Sequence, residues 1–457
     1  MPTKPRIVTV TNNSVDVLNA VRNSASINYQ NYVPVATADA ESLRTIGAII
    51  MDSPNLQNEF INALVNRIGR TIYTSRTYSN PWAILKKGML DFGETEQEIF
   101  VDLCKTFNYN AQEAESKVFQ REIPVVHSAY RVMNFQNFYK VTIQQRDLKM
   151  AFLSWAGVDD LIAKIVESMY KSANYDEFTV MKYLLAKHIL AGHLKPVEIG
   201  AVSAENATAI VTIIKGTSNA FNFLSNDYTI TGVPQNSEYN RQYVIMNAKF
   251  DAIMDVNVLA AAFHMEKAEF MGRRAMVDSF GNLDTARLAE IFATDNTYDE
   301  ISAADLKLLD AVPAVLIDED FFQIYDNLIE FTEQYNAQGL YWNYFLHTWK
   351  TFSVSPFSNA AVFTPVAPAV TSVTVSPATI ANPAVGSTQG LTVNVATKGF
   401  APEQVNWTSD SDKVTVNKAG VIKIVKALAQ NETVHVKATS VFDPTKSGQC
   451  AISGPTA

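Results

Sequence analysis

Asn80-Pro81-Trp82-Ala83-Ile84-Leu85-Lys86-Lys87-Gly88 opens the stretch that decides how this chain folds. Ile99-Phe100-Val101-Asp102-Leu103 and Ala111-Gln112-Glu113-Ala114-Glu115-Ser116-Lys117-Val118-Phe119 continue it. From Ile72 to Val126 the pattern does not suit a compact domain. The proline segment begins it, Lys86-Lys87-Gly88 turns it, and Gly93-Glu94 breaks it again. Ile99, Val101 and Leu103 alternate as a strand does, and the acid-rich piece after them adds little apolar surface. An extended excursion of this kind exposes strand edges and buries too little to stand alone. It is expected to lie against another subunit; an ordinary sheet within the same chain is the alternative.

Upstream, Ser53-Pro54 followed by Leu56, Phe60, Ile61, Leu64, Val65 and Ile68, then Gly69, has the cap, first-turn proline and terminal glycine of one amphipathic helix. The fifty residues before it are mixed and polar, an arm that needs a partner surface. Downstream, the spacing predicts two helices. One carries Leu161, Ile162, Ile165, Val166, Met169 and Tyr170, with Asp159 and Asp160 in its first turn. The other carries Phe178, Met181, Leu184, Leu185, His188 and Ile189 and stops at Gly192. Residues 197–330 mix short strands and helices. Tyr243-Val244-Ile245-Met246 is an expected strand, and Asp255 an expected cap for a helix through Val258, Leu259, Ala262 and Phe263. Ala314-Val315-Leu316-Ile317 is an expected buried strand. Gly339 to Trp349 is an aromatic strand closing the body.

The last ninety or so residues change character. Thr364-Pro365-Val366-Ala367-Pro368-Ala369-Val370 is a short stiff spacer. Beyond it, Val373 and Val375, Leu391, Val393 and Val395, Val414 and Val416, and Val434, Val436 and Ala438 recur at period two. Ser376-Pro377, Asn382-Pro383, Gly386-Ser387 and Ala419-Gly420 supply turns at the spacing of a β-sandwich.

A chain of 457 residues with 47% hydrophobic content can bury a large core, and about three domains is the prior. No run nears the ~20 apolar residues of a membrane span. The N-terminus, Met1 to Arg6, leads into polar Thr11-Asn12-Asn13-Ser14 rather than a signal core, which predicts folding in a cytoplasm. Cys104 and Cys450 lie in different expected domains and form no disulfide framework. Beyond Thr364 there are seven lysines against five acids, +2, which leaves −11 of the chain's −9 on residues 1–364. So acidic a body is poorly suited to gripping nucleic acid, which draws its affinity from clustered Lys and Arg.

Chemistry-bearing motifs are sparse. The sequence holds no phosphate-cradling Gly-Lys loop, dinucleotide fingerprint, HExxH, GxSxG or paired-cysteine zinc pattern. Asp318-Glu319-Asp320 is the nearest thing to a divalent-cation or acid–base site, with a solvated strand-to-helix turn as the plainer reading. His188 and His193 lack adjoining Cys or carboxylate ligands. The aromatics of 339–349 could form a sugar platform or simply pack a strand. No catalytic, cofactor-binding or metal residue is assigned.

Taken together, these blocks resemble the major capsid proteins of phi-29-like short-tailed bacteriophages, which have the HK-97-like fold. The resemblance rests on Asn80-Pro81 through Lys86-Lys87-Gly88, on Ala114-Glu115 with Lys117-Val118-Phe119 and Arg121-Glu122, and on Phe152 with Ser154-Trp155. Gly339-Leu340-Tyr341-Trp342-Asn343-Tyr344 and Ala438-Thr439-Ser440-Val441-Phe442 complete it. It runs from about Ile7 to the C-terminus, weakly in 197–240 and 281–312. The tail separately resembles bacterial immunoglobulin-like group 2 domains at Val405-Asn406-Trp407-Thr408-Ser409 and Val436-Lys437-Ala438-Thr439-Ser440.

The resemblance implies an α+β chain in seven parts: an N-terminal arm and helix (1–70), an extended loop (71–127), a peripheral domain with spine helices (128–196), an axial domain (197–338), a returning peripheral strand (339–363), a linker (364–370) and an all-β immunoglobulin-like sandwich (371–457). It implies a virion protein, made late and assembled in the host cytoplasm, which closes as hexamers and pentamers into an icosahedral or prolate shell around double-stranded DNA. The DNA is a neighbour by non-specific proximity. Scaffolding protein, portal and head fibre are expected partners, and no membrane is. A weak contact between the sandwich and a host cell-wall glycopolymer is the hypothesis for the tail. Some relatives of the fold join a loop lysine to a neighbour's asparagine; Lys86 and Lys87 occupy the loop here, yet nothing marks an acceptor, and no cross-link is expected. A surface adhesin and a carbohydrate-active enzyme with a binding module are the alternative functions. The first lacks an export signal and repeated sandwiches, the second a marked carboxylate pair.

Overall fold

The structure, a computed structural model, describes residues 18–53 and 56 with gaps at 20–21, 24 and 38–39, then 78–90, 95–110, 118–144, 155–254, 273–295, 298–339 and 341–455. The expected helix after Ser53, the Asp255 helix, Gly93-Glu94, the acid-rich 111–117 piece and Phe152-Ser154 lie outside the described residues, apart from Ser53 and Leu56. Residues 1–76 and 77–457 form separate compact units.

In the first unit, α1 (Ile27–Tyr32) and α2 (Ala40–Asp52) pack Tyr29, Val33, Ala36, Ile46 and Ile50 together. The expectation of an arm without its own packing needs correction. Ser26 caps α1 by accepting from Tyr29 N, and Asn19 clamps the backbone of Ala36 from both sides at 2.7 and 2.9 Å. Arg22 closes the turn by donating to the carbonyls of Val33 and Gln30. Polar side chains do here what a long apolar stripe would otherwise do.

The second unit begins with β1 (Gly88–Met89), β2 (Glu96–Val101), β3 (Val126–Arg131) and β4 (Phe135–Gln144), followed by α3 (Trp155–Leu190). The two helices expected between Leu161 and Gly192 are thus one helix of 36 residues. No Pro or Gly interrupts Lys171 to Glu177, so nothing breaks the i→i−4 ladder where the apolar stripe changes face. The helix ends where expected. Gly192 takes φ +65° and, with His193, closes a Schellman motif onto Ile189 and His188.

After α3 come β5 (Lys195–Glu198), α4 (Ala207–Phe221), β6 (Gln242–Asn247), α5 (Ala248–Met254), β7 (Arg274–Val277), α6 (Thr285–Ile291), α7 (Ala303–Asp310), β8 (Ala314–Asp318), β9 (Phe322–Asn336), β10 (Tyr341–Val354) and β11 (Ala360–Thr364). They build two sheets, ordered β5-β11-β8-β6-β7 and β1-β9-β10-β4. β8 is buried throughout, as its unbroken apolar run demands. Its alternate residues serve two cores: Val315 and Ile317 join Met181, Leu185 and Ile189 of α3, while Ala314 and Leu316 join Ile210, Ile214 and Phe221 of α4.

The sheets exchange strands at the acidic trio. β8 leaves the five-stranded sheet at Asp318 and β9 enters the four-stranded sheet at Phe322, so a strand follows, not the expected helix. Sheet membership therefore cuts across the boundaries expected at 338 and 363. β9 pairs with β10, and β11 returns to pair with β8 and β5. β10 is a central strand: Leu346 on one face packs on Met169 and Ala173 of α3, while Phe345 and His347 on the other gather Phe138. A bulge at Trp349/Lys350 skips one residue of β9 and brings Asp326 opposite Lys350.

Residues 369–453 contribute β12 (Ala369–Ser376), β13 (Thr379–Ala381), β14 (Thr388–Gly390), β15 (Thr392–Lys398), β16 (Val405–Ser409), β17 (Val414–Val416), β18 (Val421–Ile424), β19 (Thr433–Ser440) and β20 (Ser447–Ser453). The ladders β12-β15, β13-β20-β19-β16 and β14-β18-β17 share one core. Val373, Val375, Val395, Val414, Val434, Val436 and Ala438 point into it, as period two predicts. The expected turns hold Asn382 at φ +45°, Gly386 at +85° and Gly420 at +76°.

Candidate assembly surface

The excursion between Asn80 and Arg131 has a root and a tip of opposite character. At the root, Trp82 is fully buried, stacks edge-on against Phe178 of α3 at 5.3 Å, and donates Nε1–H to Met276 O at 3.0 Å. Pro81 starts the turn that seats it. Asn80 donates to Glu177 Oε1 at 2.5 Å. Lys86 reaches Glu177 at 2.9 Å and Asp326 at 2.6 Å; Lys350 reaches Asp326 at 3.0 Å and also holds Glu177. Two lysines and two carboxylates so close a compact square, neutral in sum, between α3, β9, β10 and the start of the loop. Burial pushes both carboxyls up, but the lysines outweigh it and hold Glu177 and Asp326 below their usual ranges. Lys86, which burial would pull down, is held above its usual value by Glu177 and Asp326.

The lysines expected on the loop are therefore part of its foundation. Lys87 is likewise engaged, with Asp320. Glycine at 88 takes φ +122° and lets β1 pair parallel with Tyr325 and Asp326.

β2 and β3 then pair with each other from Glu96↔Arg131 to Val101↔Val126. The body anchors this pair along its length. Arg131, buried, pairs with Glu98 and Glu96; Ser355 donates to Glu98 at 2.7 Å; Phe100 stacks on Phe357 at 5.9 Å. Tyr325 also bonds Glu96, and burial with that carboxylate raises its phenol.

Beyond Val101 the described residues lose regular pairing and expose their apolar side chains. Tyr109 is 94% exposed, Phe119 91% and Ile123 83%, with Leu103, Phe107 and Val118 also exposed. Monomeric proteins seldom expose contiguous apolar patches beyond a few hundred Å². An aromatic side chain contributes 150–250 Å² when buried, so the tip carries several such contacts without cover. The alternation predicted β2 at Ile99 and Val101 but ran on to Leu103, which lies past the strand's end; all three are exposed in the protomer.

The other candidates have local partners. Arg241 reaches Glu319 at 3.0 Å and Asp318 at 3.8 Å and also pairs with Asp320, while Arg273 meets Glu319 at 3.5 Å. The acidic trio is neutralised by arginine and lysine and forms the crossing between the sheets. His188 and His193 approach through Nδ1 atoms 2.8 Å apart; burial, with His193 beside it, lowers His188 to about 4. Tyr344 stacks on Phe331 at 5.8 Å, in keeping with strand packing. Among the described residues no group of three His, Cys, Asp or Glu could hold a metal ion, and no helix is long and apolar enough to cross a membrane. Sequence reasoning missed the Glu177–Lys350 square, whose only signals were a charged residue within each of two apolar patterns.

A protein of Bacillus phage B103 described as "Major capsid protein" is 36% identical over 93% of this chain and 90% of its own length. The "Major capsid protein" of Streptococcus phage Cp-1 is 28% identical over 76% of this chain and 93% of its own length. A chain in the capsid structure of Staphylococcus phage Andhra shares the fold, with a TM-score of 0.51 and 14% identity over 65% of this chain and 87% of that one. The fold is the expected α+β, HK-97-like capsid fold, and the role is a structural one in the virion. With the "Phi29-like phage major capsid protein" model matching residues 18–364, the chain belongs to the Phi29-like phage major capsid proteins.

Proposed function

We propose that the β2–β3 hairpin is the arm by which each subunit of the self-associating shell grips its neighbour: its root is fixed in its own body and its tip is buried on the next. The observation that carries this is the gradient from the buried Trp82 and Glu177 to the nearly bare Tyr109, Phe119 and Ile123. A shell needs wide shared interfaces, and an extended arm supplies them without a further fold. Each large side chain covered there contributes about 1.5–3 kcal/mol. The test is Phe119→Ser with Ile123→Ser, followed by sedimentation and electron microscopy. The variant is expected to keep the wild-type unfolding midpoint as a protomer and to lose shells. Shells at normal yield would remove the arm from the interface.

Within this reading the four-stranded sheet with α3 is the peripheral domain and the five-stranded sheet the axial domain around hexamer and pentamer axes. The acidic body faces the packaged double-stranded DNA, which must slide rather than stick. Scaffolding protein, portal and head fibre are its further partners. The tail is an immunoglobulin-like group 2 domain. Two observations support treating it as an added module: the family match stops at Thr364, and the Cp-1 relative is covered almost fully by about three quarters of this chain. Many copies on one shell would turn weak contacts with a host glycopolymer into avidity. Glycan-array binding by intact particles tests this; particles that adsorb equally to cells stripped of wall glycopolymer would remove it.

A further inference from the structure

The spacer before the tail reads as short and stiff, and the residues around it also hold the tail against the body. Phe400 and Ala401 are adjacent and enter different cores. Phe400 is 8% exposed within the body's apolar cluster, and Ala401 is 1% exposed within the tail's. Sending neighbouring side chains into two cores requires an unusual backbone, and Phe400 sits at φ +60° directly after Gly399 at +59°. A bulky residue is rarely found there; the packing on both sides must hold it.

The surrounding contacts repeat the theme. A Cβ on Gly399 would come within 2.5 Å of Val366 O, so this turn lies directly on the spacer. A Cβ on Gly192, at the end of α3, would come within 2.7 Å of Pro402 Cα. Gln404 donates from Nε2 to Ile230 O at 3.1 Å, tying the tail to a loop that packs on the body's core. Leu190, Ile301 and Leu308 line a groove with Phe400.

We propose that Gly399-Phe400-Ala401-Pro402 is an intramolecular clamp, with Gln404 as its second point, that seats the C-terminal module on the end of α3 and fixes its direction relative to the body. The module is then a rigid extension of the subunit. A load on it passes to α3 and the 228–232 loop rather than being absorbed by the spacer. The clamp does not depend on the hairpin's role, because it can be read on unassembled full-length protein.

Hydrogen exchange followed by mass spectrometry tests it on Phe400→Ala. Loss of the ring is expected to raise exchange at least about tenfold in 187–194, 228–232 and 364–370, leaving β9, β10, β19 and β20 as in the wild type. Unchanged exchange at the junction, or an equal rise everywhere, overturns the clamp. If that variant does not fold, Gln404→Ala decides, since it removes one surface hydrogen bond and leaves both cores filled. Faster exchange confined to 228–232 supports the proposal, and wild-type exchange there refutes it.

Discussion

Glu177→Gln probes the hairpin root most directly. The Glu177 side chain is 3% exposed, and its carboxylate takes Lys86, Lys350 and Asn80 together. Glutamine keeps the shape but leaves two lysines facing Asp326 alone, so one positive charge stays buried without a counter-ion. Breaking a buried pair from one side costs about 3–5 kcal/mol. For a unit the size of Thr77–Ala457, with about 2 cal/mol/K of unfolding entropy per residue, that lowers Tm by roughly 5 °C. Thermal and urea unfolding of unassembled protein measure it. Glu177→Leu with Lys350→Met removes one charge of each sign and leaves Lys86 with Asp326 at 2.6 Å, so it should recover at least about half of the loss. A wild-type midpoint for Glu177→Gln, or a double variant as unstable as the two single ones added, refutes the account.

The same square sets a pH dependence. Glu177 and Asp326 have folded values below their unfolded ones. Their contribution is therefore full above about pH 4 and is lost as pH falls through the folded values. Lys86 runs the other way: its folded value is raised, so its contribution is present below about pH 10 and fades as pH rises through the folded value. The stability gap between wild type and Glu177→Gln should narrow in acid.

Three further outcomes are expected. Arg131→Met leaves Glu96 and Glu98 without their counter-ion at the hairpin root and should cost about 2–4 kcal/mol; unaltered exchange protection across 96–101 argues against the anchor. His188, with its value lowered to about 4, takes its proton in the unfolded chain first, so stability should drop as pH falls from about 6.5 towards 4. His188→Gln should flatten that part of the urea-midpoint profile, and an unchanged slope excludes the pair as its source. Gly281→Ala would push a methyl to 2.1 Å from Leu306 O and 2.8 Å from Asp310 N, for an expected loss of about 1–3 kcal/mol in urea unfolding.

Much of the fold was legible because it rests on local periodicity. Val434, Val436 and Ala438 could only be one face of a strand, and Ala314 to Ile317 could only be buried. Gly192 announced the end of α3 correctly because a Schellman turn needs a residue at ease with positive φ. What could not be read was pairing over long separations. The sequence around Asp326 and Phe331 does not announce the bulge at Trp349/Lys350 that sets Asp326 opposite Lys350. Lys86 and Lys87 were read as loop residues for the same reason: their partners, Glu177 and Asp320, lie 91 and 233 positions away. Two prolines marked a stiff spacer but said nothing of what lies against it, and Phe400, which packs in the body's core, carries no signal apart from the glycine before it. The exposed tip was legible in principle, as an apolar alternation with no second strand face to receive it.

If the hairpin grips the next subunit, as we propose, root and tip meet opposing requirements, and the chain separates them by distance along one hairpin. An arm anchored only by apolar burial would let the same residues serve body or neighbour, and the protomer could collapse onto its own tip. The ion square avoids this, because a lysine whose partner is the buried Glu177 cannot be traded for a contact elsewhere without losing several kcal/mol. Phe119 and Ile123 face no such restriction. Each contributes a modest amount when covered, and much of that is offset by the cost of ordering the arm. Contacts of this strength can form, break and re-form while a shell closes. A rigid root gives each arm its direction, and a weakly held tip lets an ill-placed subunit leave before many neighbours have fixed it there.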